Sequence, residues 1–216
     1  MIDFATARRH MVDGQVRTAD VTDLRILSAM SEIPREAFVP PSLAALAYLD
    51  RDLPVGEGHR RLLKPMVLAK LVQAAEIATG DHVLDVGCAT GYGAAVLARI
   101  AGQVVALEED ARLAEAARAA LAAQSNVSIV IGPLTEGWPQ TAPYDAILLE
   151  GAGEFAPHAF LRQLKEGGRL VCLLGSGPAA KAMLYCRSGA ELGGRPIFDA
   201  SAAVLPGFAK TPSFAF

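Results

Sequence analysis

Cysteine is scarce in this chain, and the three present, Cys88, Cys172 and Cys186, are odd in number. They form no Cys-x-x-Cys pair, and the four histidines (His10, His59, His82, His158) are scattered, which argues against a metal site and against a disulfide-stapled scaffold. Reduced, mostly buried thiols in a cytoplasmic protein are the expectation. Long apolar runs are missing too: none reaches the roughly eighteen residues of a membrane span, and Lys70 and Arg99 interrupt the best candidates. Arg8, Arg9 and His10 are followed by no apolar segment, so no secretory leader is expected. Strong charge of either sign is also lacking. A net charge of −3 and a pI of about 5.8 argue against a partner with a nucleic-acid backbone.

What is present is a folding chain. Of its 216 residues 52% are hydrophobic and 20% charged, enough for one full core with a modest extension. No internal repeat appears. Residues 1–64 read as an N-terminal extension or lid lying on the core, and 65–216 as an α/β domain, the whole one compact unit.

The chemistry concentrates in Val83-Leu84-Asp85-Val86-Gly87-Cys88-Ala89-Thr90-Gly91-Tyr92. A strand ends in an acid, a glycine-containing turn follows, and Ala94 to Ile100 continues at helical spacing. Such a junction sets backbone N–H groups and a positive dipole end beside a ligand, and glycine lets the main chain approach it. Val104 to Leu107 forms a second apolar strand closing on Glu108, about twenty residues on, where a nucleotide-binding unit keeps the carboxylate that grips ribose hydroxyls. The spacing Asp-x-Gly-x-x-x-Gly does not fit a dinucleotide fingerprint. It fits the methyltransferase loop Asp/Glu-x-Gly-x-Gly-x-Gly, with Ala89 at the middle glycine. The bland alternative is an ordinary strand–turn–helix corner.

In chain order, Asp20 or Thr22 caps a helix presenting Leu24, Ile26, Leu27 and Met30, and Pro34 ends it. Pro65 opens a helix that Thr79-Gly80 stops. The expected alternation is then strand 83–86, helix 92–100, strand 104–108, helix 111–123, strand 127–131, strand 144–149, helix 157–164 and strand 170–174. Segments 181–187 and 196–200 read as a closing antiparallel hairpin, and the tail from Lys210 as loosely held. Successive strand–helix units imply a mostly parallel, doubly wound, Rossmann-like sheet of the class I methyltransferase kind. Ligands in such sheets bind beyond the carboxyl ends of the strands. That places Asp85, Gly87, Cys88, Ala89 and Gly91, then Glu108 and Glu109, then Leu134, then Glu150 as candidate cofactor-binding residues. No catalytic residue is assigned. Glu150 at that mouth faces either a cofactor's sulfonium or a substrate, or is a solvated loop charge.

Met11-Val12 with Gln15-Val16-Arg17, Ile33-Pro34-Arg35-Glu36-Ala37-Phe38-Val39-Pro40, Ala47-Tyr48-Leu49-Asp50, Leu53-Pro54-Val55-Gly56, Gly137-Trp138 and Gly167-Gly168-Arg169-Leu170-Val171 add specificity that the glycine turn lacks. On these pieces, from about Met11 to Leu174, the chain resembles the protein-L-isoaspartate O-methyltransferases. The resemblance implies transfer of methyl from S-adenosylmethionine, leaving S-adenosylhomocysteine, to a carboxylate of aged or damaged protein. It implies a protein or peptide substrate, with a small acid as the alternative; no nucleic-acid or membrane partner is expected, and a monomer or homodimer is.

Three motifs depart from that pattern. The family's Gly-Gln-Thr-Ile-Ser-x-Pro is here Gly58-His59-Arg60-Arg61-Leu62-Leu63-Lys64-Pro65, one residue longer and without a hydroxyl. Its Gly-Asp-Gly is Gly132-Pro133-Leu134, and proline has no N–H to donate. Its Val-Thr-Ala-Ala is Leu149-Glu150-Gly151-Ala152. Three readings follow: an isoaspartyl methyltransferase using backbone groups, a methyltransferase with another acceptor, or a non-catalytic module on the same fold. The 58–65 loop reads as a solvated basic loop, or as a gate hinged at Gly56 and Gly58 with Leu62 and Leu63 as its apolar grip.

Overall fold

The computed structural model describes residues 2–56 and 60–210, the side chain of Leu192 excepted. Five α-helices occur among them: α1 Phe4–Met11, α2 Leu24–Glu32, α3 Pro65–Ala74, α4 Tyr92–Ala98 and α5 Ala111–Ala120. Strands β1 Leu53–Pro54 and β2 Arg61–Leu62 form a small antiparallel ribbon. The others are β3 His82–Val86, β4 Gln103–Glu108, β5 Val127–Ile131, β6 Tyr144–Gly153, β7 Leu164–Leu174, β8 Lys181–Ser188 and β9 Glu191–Asp199.

These seven make one sheet in the order β5-β4-β3-β6-β7-β8-β9. Strands β5 through β7 pair in parallel, while β8 and β9 form the antiparallel hairpin expected from the sequence. Central β3 is buried on both faces, which is why Val83 to Val86 reads as a continuous apolar run broken only by Asp85. Its alternate residues serve two cores. Val83 joins the α-helices and residues 11–77, whereas Leu84 and Val86 join Tyr144, Phe160, Leu205 and Phe208.

Local chemistry sets the helix ends. Asp3 accepts from Thr6 N at the start of α1, and Asp110 accepts from Arg112 N and Leu113 N at the start of α5. Asp23, not Asp20 or Thr22, caps α2; Asp20 instead turns the chain in a left-handed conformation, φ 65°. The expected helix over 157–164 is a 3-10 turn, His158–Gln163. It follows Pro157, and the six residues from there to the start of β7 at Leu164 are too few for a stable wound α-helix.

Both β6 and β7 are longer than the sequence suggests. Between Leu148 and Ala152 the β6–β7 register shifts, so Leu149, Glu150 and Gly151 stand against a single residue of β7. This bulge re-aims Glu150 into the core.

The first 64 residues are pinned by the motif residues that carry the resemblance. Arg35 is fully buried and donates to the carbonyls of Ala47 and Leu63. Its guanidinium lies 4.6 Å from the centroid of the Tyr92 ring. Tyr48 receives Arg8 Nε at 2.9 Å, and its carbonyl receives Gln15.

Candidate functional site

The turn between β3 and α4 has three residues at positive φ: Gly87 at 77°, Ala89 at 51° and Gly91 at 92°. Left-handed backbone costs a residue with a Cβ about 1 kcal/mol or more, so Ala89 keeps the conformation of the glycine it replaces under strain. Hydrogen bonds hold it there. Gly87 N and Cys88 N both donate to Leu107 O, Gly91 N donates to Cys88 O, and Ala89 N donates to Glu108 Oε2 at 2.8 Å. Cys88 and Ala89 are consequently buried, and burial pushes the Cys88 thiol well up.

Glu108 stands at the tip of β4 as expected, but it is buried and fully engaged. Oε1 accepts from Glu109 N and Asp110 N, and Oε2 accepts from Ala89 N and from Arg60 Nη2 at 2.5 Å. Arg60 also donates to Gly87 O at 3.0 Å. Sequence reasoning missed Arg60 as a site residue; its only signal was membership of the basic cluster. Among its described residues that cluster is not a solvated loop: Arg60 is in a buried ion pair, Leu62 and Leu63 are core, and Arg61 and Lys64 are partly exposed. Gly58 and His59 lie outside the described residues. Glu109 is exposed at the cleft, and Leu134, following the tip of β5, is buried in the second core.

Glu150 is not a solvated charge. It is 2% exposed, Asp85 is 0% exposed, and none of their four carboxyl oxygens has a hydrogen-bond partner. A Cβ on Gly93 would lie 1.8 Å from Glu150 Oε1, so only glycine admits this carboxyl against α4. Desolvation pushes Asp85 up to about 7, Glu108 adding to it. Glu150 is pushed well above the usual carboxylate range by burial first and the Asp85 charge second. One proton between two adjacent carboxyls satisfies both more cheaply than two buried charges.

A cleft of about 730 Å³ opens beside the Arg60–Glu108 pair, lined also by Glu109, Asp110 and residues 203–207. Positive-φ glycines against the strand tips, an acid ending the neighbouring strand, and orphaned buried carboxyl oxygens suit a ligand with a ribose and a positively charged end. Sheet order, turn and acid together define a Rossmann-like, S-adenosylmethionine-dependent methyltransferase. The chain belongs to the protein-L-isoaspartate(D-aspartate) O-methyltransferase family, whose model matches residues 6–193.

It is 46% identical over 183 residues to the protein-L-isoaspartate O-methyltransferase of Methylorubrum extorquens (strain PA1), covering 84% of this chain and 79% of that one. The protein of the same name from Methanoculleus marisnigri is 41% identical over 170 residues, 78% of this chain and 77% of its own. A solved protein-L-isoaspartate O-methyltransferase superposes with a TM-score of 0.80 at 27% identity, over 93% of this chain and 66% of that chain. A Plasmodium falciparum structure of this fold, in complex with S-adenosyl-L-homocysteine, gives 0.73 at 15% identity, over 92% of this chain and 97% of its own.

Proposed function

We propose that the strand mouth formed by β3, β4 and β6 holds S-adenosylmethionine, with Glu108 on the ribose and residues Asp85, Gly87, Cys88, Ala89, Gly91, Glu109, Leu134 and Glu150 around it. The methyl acceptor in this reading is a carboxylate of damaged protein, isoaspartyl by kinship. The observation that carries it is the pairing of Glu108 with the loop: the same carboxylate that ends β4 takes the Ala89 amide at 2.8 Å, fixing acid and glycine turn as one unit. Bound there, the cofactor supplies a methyl on a sulfonium, which a carboxylate oxygen takes directly and leaves S-adenosylhomocysteine. Because the nucleophile is already charged, the chain's task is alignment and exclusion of water. The buried Asp85–Glu150 pair, which keeps one negative charge when it holds one proton, faces a cationic part of the ligand in this reading.

Residues 1–64 form the cover and 65–216 the cofactor-binding unit in this reading, supported by Thr90 Oγ1 donating to Phe38 O across the two. We place the protein in the cytoplasm, as a monomer or homodimer, without nucleic-acid or membrane partners. The net charge of −3 supports this, and no described helix is long and apolar enough to cross a membrane. Among the described residues no cluster of three or more His, Cys, Asp or Glu side chains could hold a metal ion.

Calorimetric titration with S-adenosylhomocysteine tests the placement. Binding to the parent with a clear loss in Glu108→Gln is the expected outcome, and equal binding by both would remove Glu108 from the ribose. A different acceptor is the second reading, favoured by Leu62 and Leu63 being 0% and 1% exposed where the family carries hydroxyl residues.

A further inference from the structure

The family match ends at residue 193, and the chain beyond β9 returns across the strand mouth. Ala152 N donates to Ala203 O and Leu205 N donates to Ala152 O, both at 2.9 Å, so Val204 lies in a parallel bridge with Ala152. Glu154 N then donates to Phe208 O at 2.8 Å. The Phe208 ring stacks on Phe155 at 5.7 Å and Phe160 at 6.3 Å between centroids. Leu205, 2% exposed, is the plug. A Cβ on Gly87 would meet its Cδ2 at 3.0 Å, and one on Gly151 would meet its Cγ at 2.6 Å.

Gly87 follows the last residue of β3, and Gly151 lies in the bulge of the neighbouring strand β6. A ligand whose ribose sits at Glu108 must run between them to reach Glu150. Leu205 fills that path, while the cleft beside Glu109 and Asp110 stays open. Arg60 forms the other wall, its Nη2 being 3.3 Å from the same hypothetical Gly87 Cβ.

We propose that residues 203–209 are a lid, with Leu205 standing in for the part of the ligand beyond the ribose. The inference rests on the placement of S-adenosylmethionine given above. The closed lid admits a nucleoside to the open cleft and excludes its amino-acid extension. Lid opening and cofactor binding are then one equilibrium, and affinity is reduced by the fraction of molecules that are open.

The test titrates adenosine and S-adenosylhomocysteine into the parent, Leu205→Ala and Phe208→Ala, with hydrogen exchange on the same samples. Leu205→Ala and Phe208→Ala are expected to bind S-adenosylhomocysteine roughly ten-fold or more tighter, with adenosine changed less than about two-fold. In the parent, S-adenosylhomocysteine should speed exchange at Leu205 and slow it at Gly87 to Ala89. Binding of S-adenosylhomocysteine with the Leu205 amide still protected overturns the lid and leaves the cofactor placement intact. Failure of every form to bind it at millimolar concentration overturns the placement first and the lid with it. The parent's exchange pattern decides even if either variant is too unstable to titrate.

Discussion

The guanidinium of Arg60 and the carboxylate of Glu108 meet 2.5 Å apart, both buried, at the point where β4 ends. Removing Arg60 leaves Glu108 with three backbone donors, whereas removing Glu108 leaves a buried guanidinium on one carbonyl. Glu108→Ala should therefore cost roughly 3–5 kcal/mol for the broken buried pair, and Arg60→Ala less. Chemical denaturation of the two variants side by side checks the order. If Arg60→Ala proves the worse of the two, Glu108 is not the better-supported partner.

The Asp85–Glu150 pair gives stability a pH dependence of defined sign. Burial raises Asp85 from 3.8 to about 7 and holds Glu150 well above the usual carboxylate range, so folding retains protons on this pair that the unfolded chain releases. The contribution is full below about pH 4 and is lost as pH rises through about 7. Glu150→Gln removes one carboxyl and lets its amide donate to Asp85. Its melting temperature should exceed the parent's by roughly 2–8 °C at pH 8 and converge with it near pH 5. Parallel melting curves across that range would refute proton retention by the buried pair.

Leu63 is core and Arg61 is not. Leu63→Ala should cost about 2–5 kcal/mol, and Arg61→Ala about 0.5 kcal/mol or less. Thermal melts of the pair decide whether 61–63 belongs to the structure or to a moving gate, since a gate residue would leave the melt unchanged.

Ala89 at φ 51° is a strained stand-in for glycine. Ala89→Gly relieves the strain but adds unfolded-state entropy, and the balance is a change of about 1 kcal/mol or less. A loss larger than about 2 kcal/mol would mean that the Ala89 methyl has a packing role that outweighs its backbone strain.

Turnover on an isoaspartyl peptide is expected to be slow, below roughly 1 per second. Leu62 and Leu63 offer no hydroxyl and Pro133 no N–H to orient an acceptor carboxylate. A tritium-transfer assay reads this directly, and a rate at or above that figure would show that other groups do the orienting.

The alternation of strand and helix from Asp81 onward was legible because parallel strands buried on both faces leave unmistakable apolar runs, as at Val83 to Val86 and Val104 to Leu107. Glu108 was legible for the same reason: it ends such a run. Its partner was not, because Arg60 is 48 residues distant and nothing local marks a basic side chain as buried. Glu150 was placed just past a strand end, open between a cofactor-facing carboxylate and a solvated loop charge, since the bulge in β6 that buries it depends on pairing with β7 and not on local sequence. Leu205 lies outside every motif, and only its packing against Gly87 and Gly151 reveals it.

Arg35 has a consequence for how the molecule is made. Its two carbonyl acceptors lie at Ala47 and Leu63, but the ring beneath it belongs to Tyr92, and the shared core also draws on Val171, Leu173 and Leu184. A chain emerging from the ribosome N-terminus first therefore exposes Met11, Val16, Leu27, Met30 and Phe38 well before the strands that cover them exist. Translation speed across the stretch from Tyr92 to Leu184, and the chaperones present while it is read, should therefore bear on the yield of folded protein.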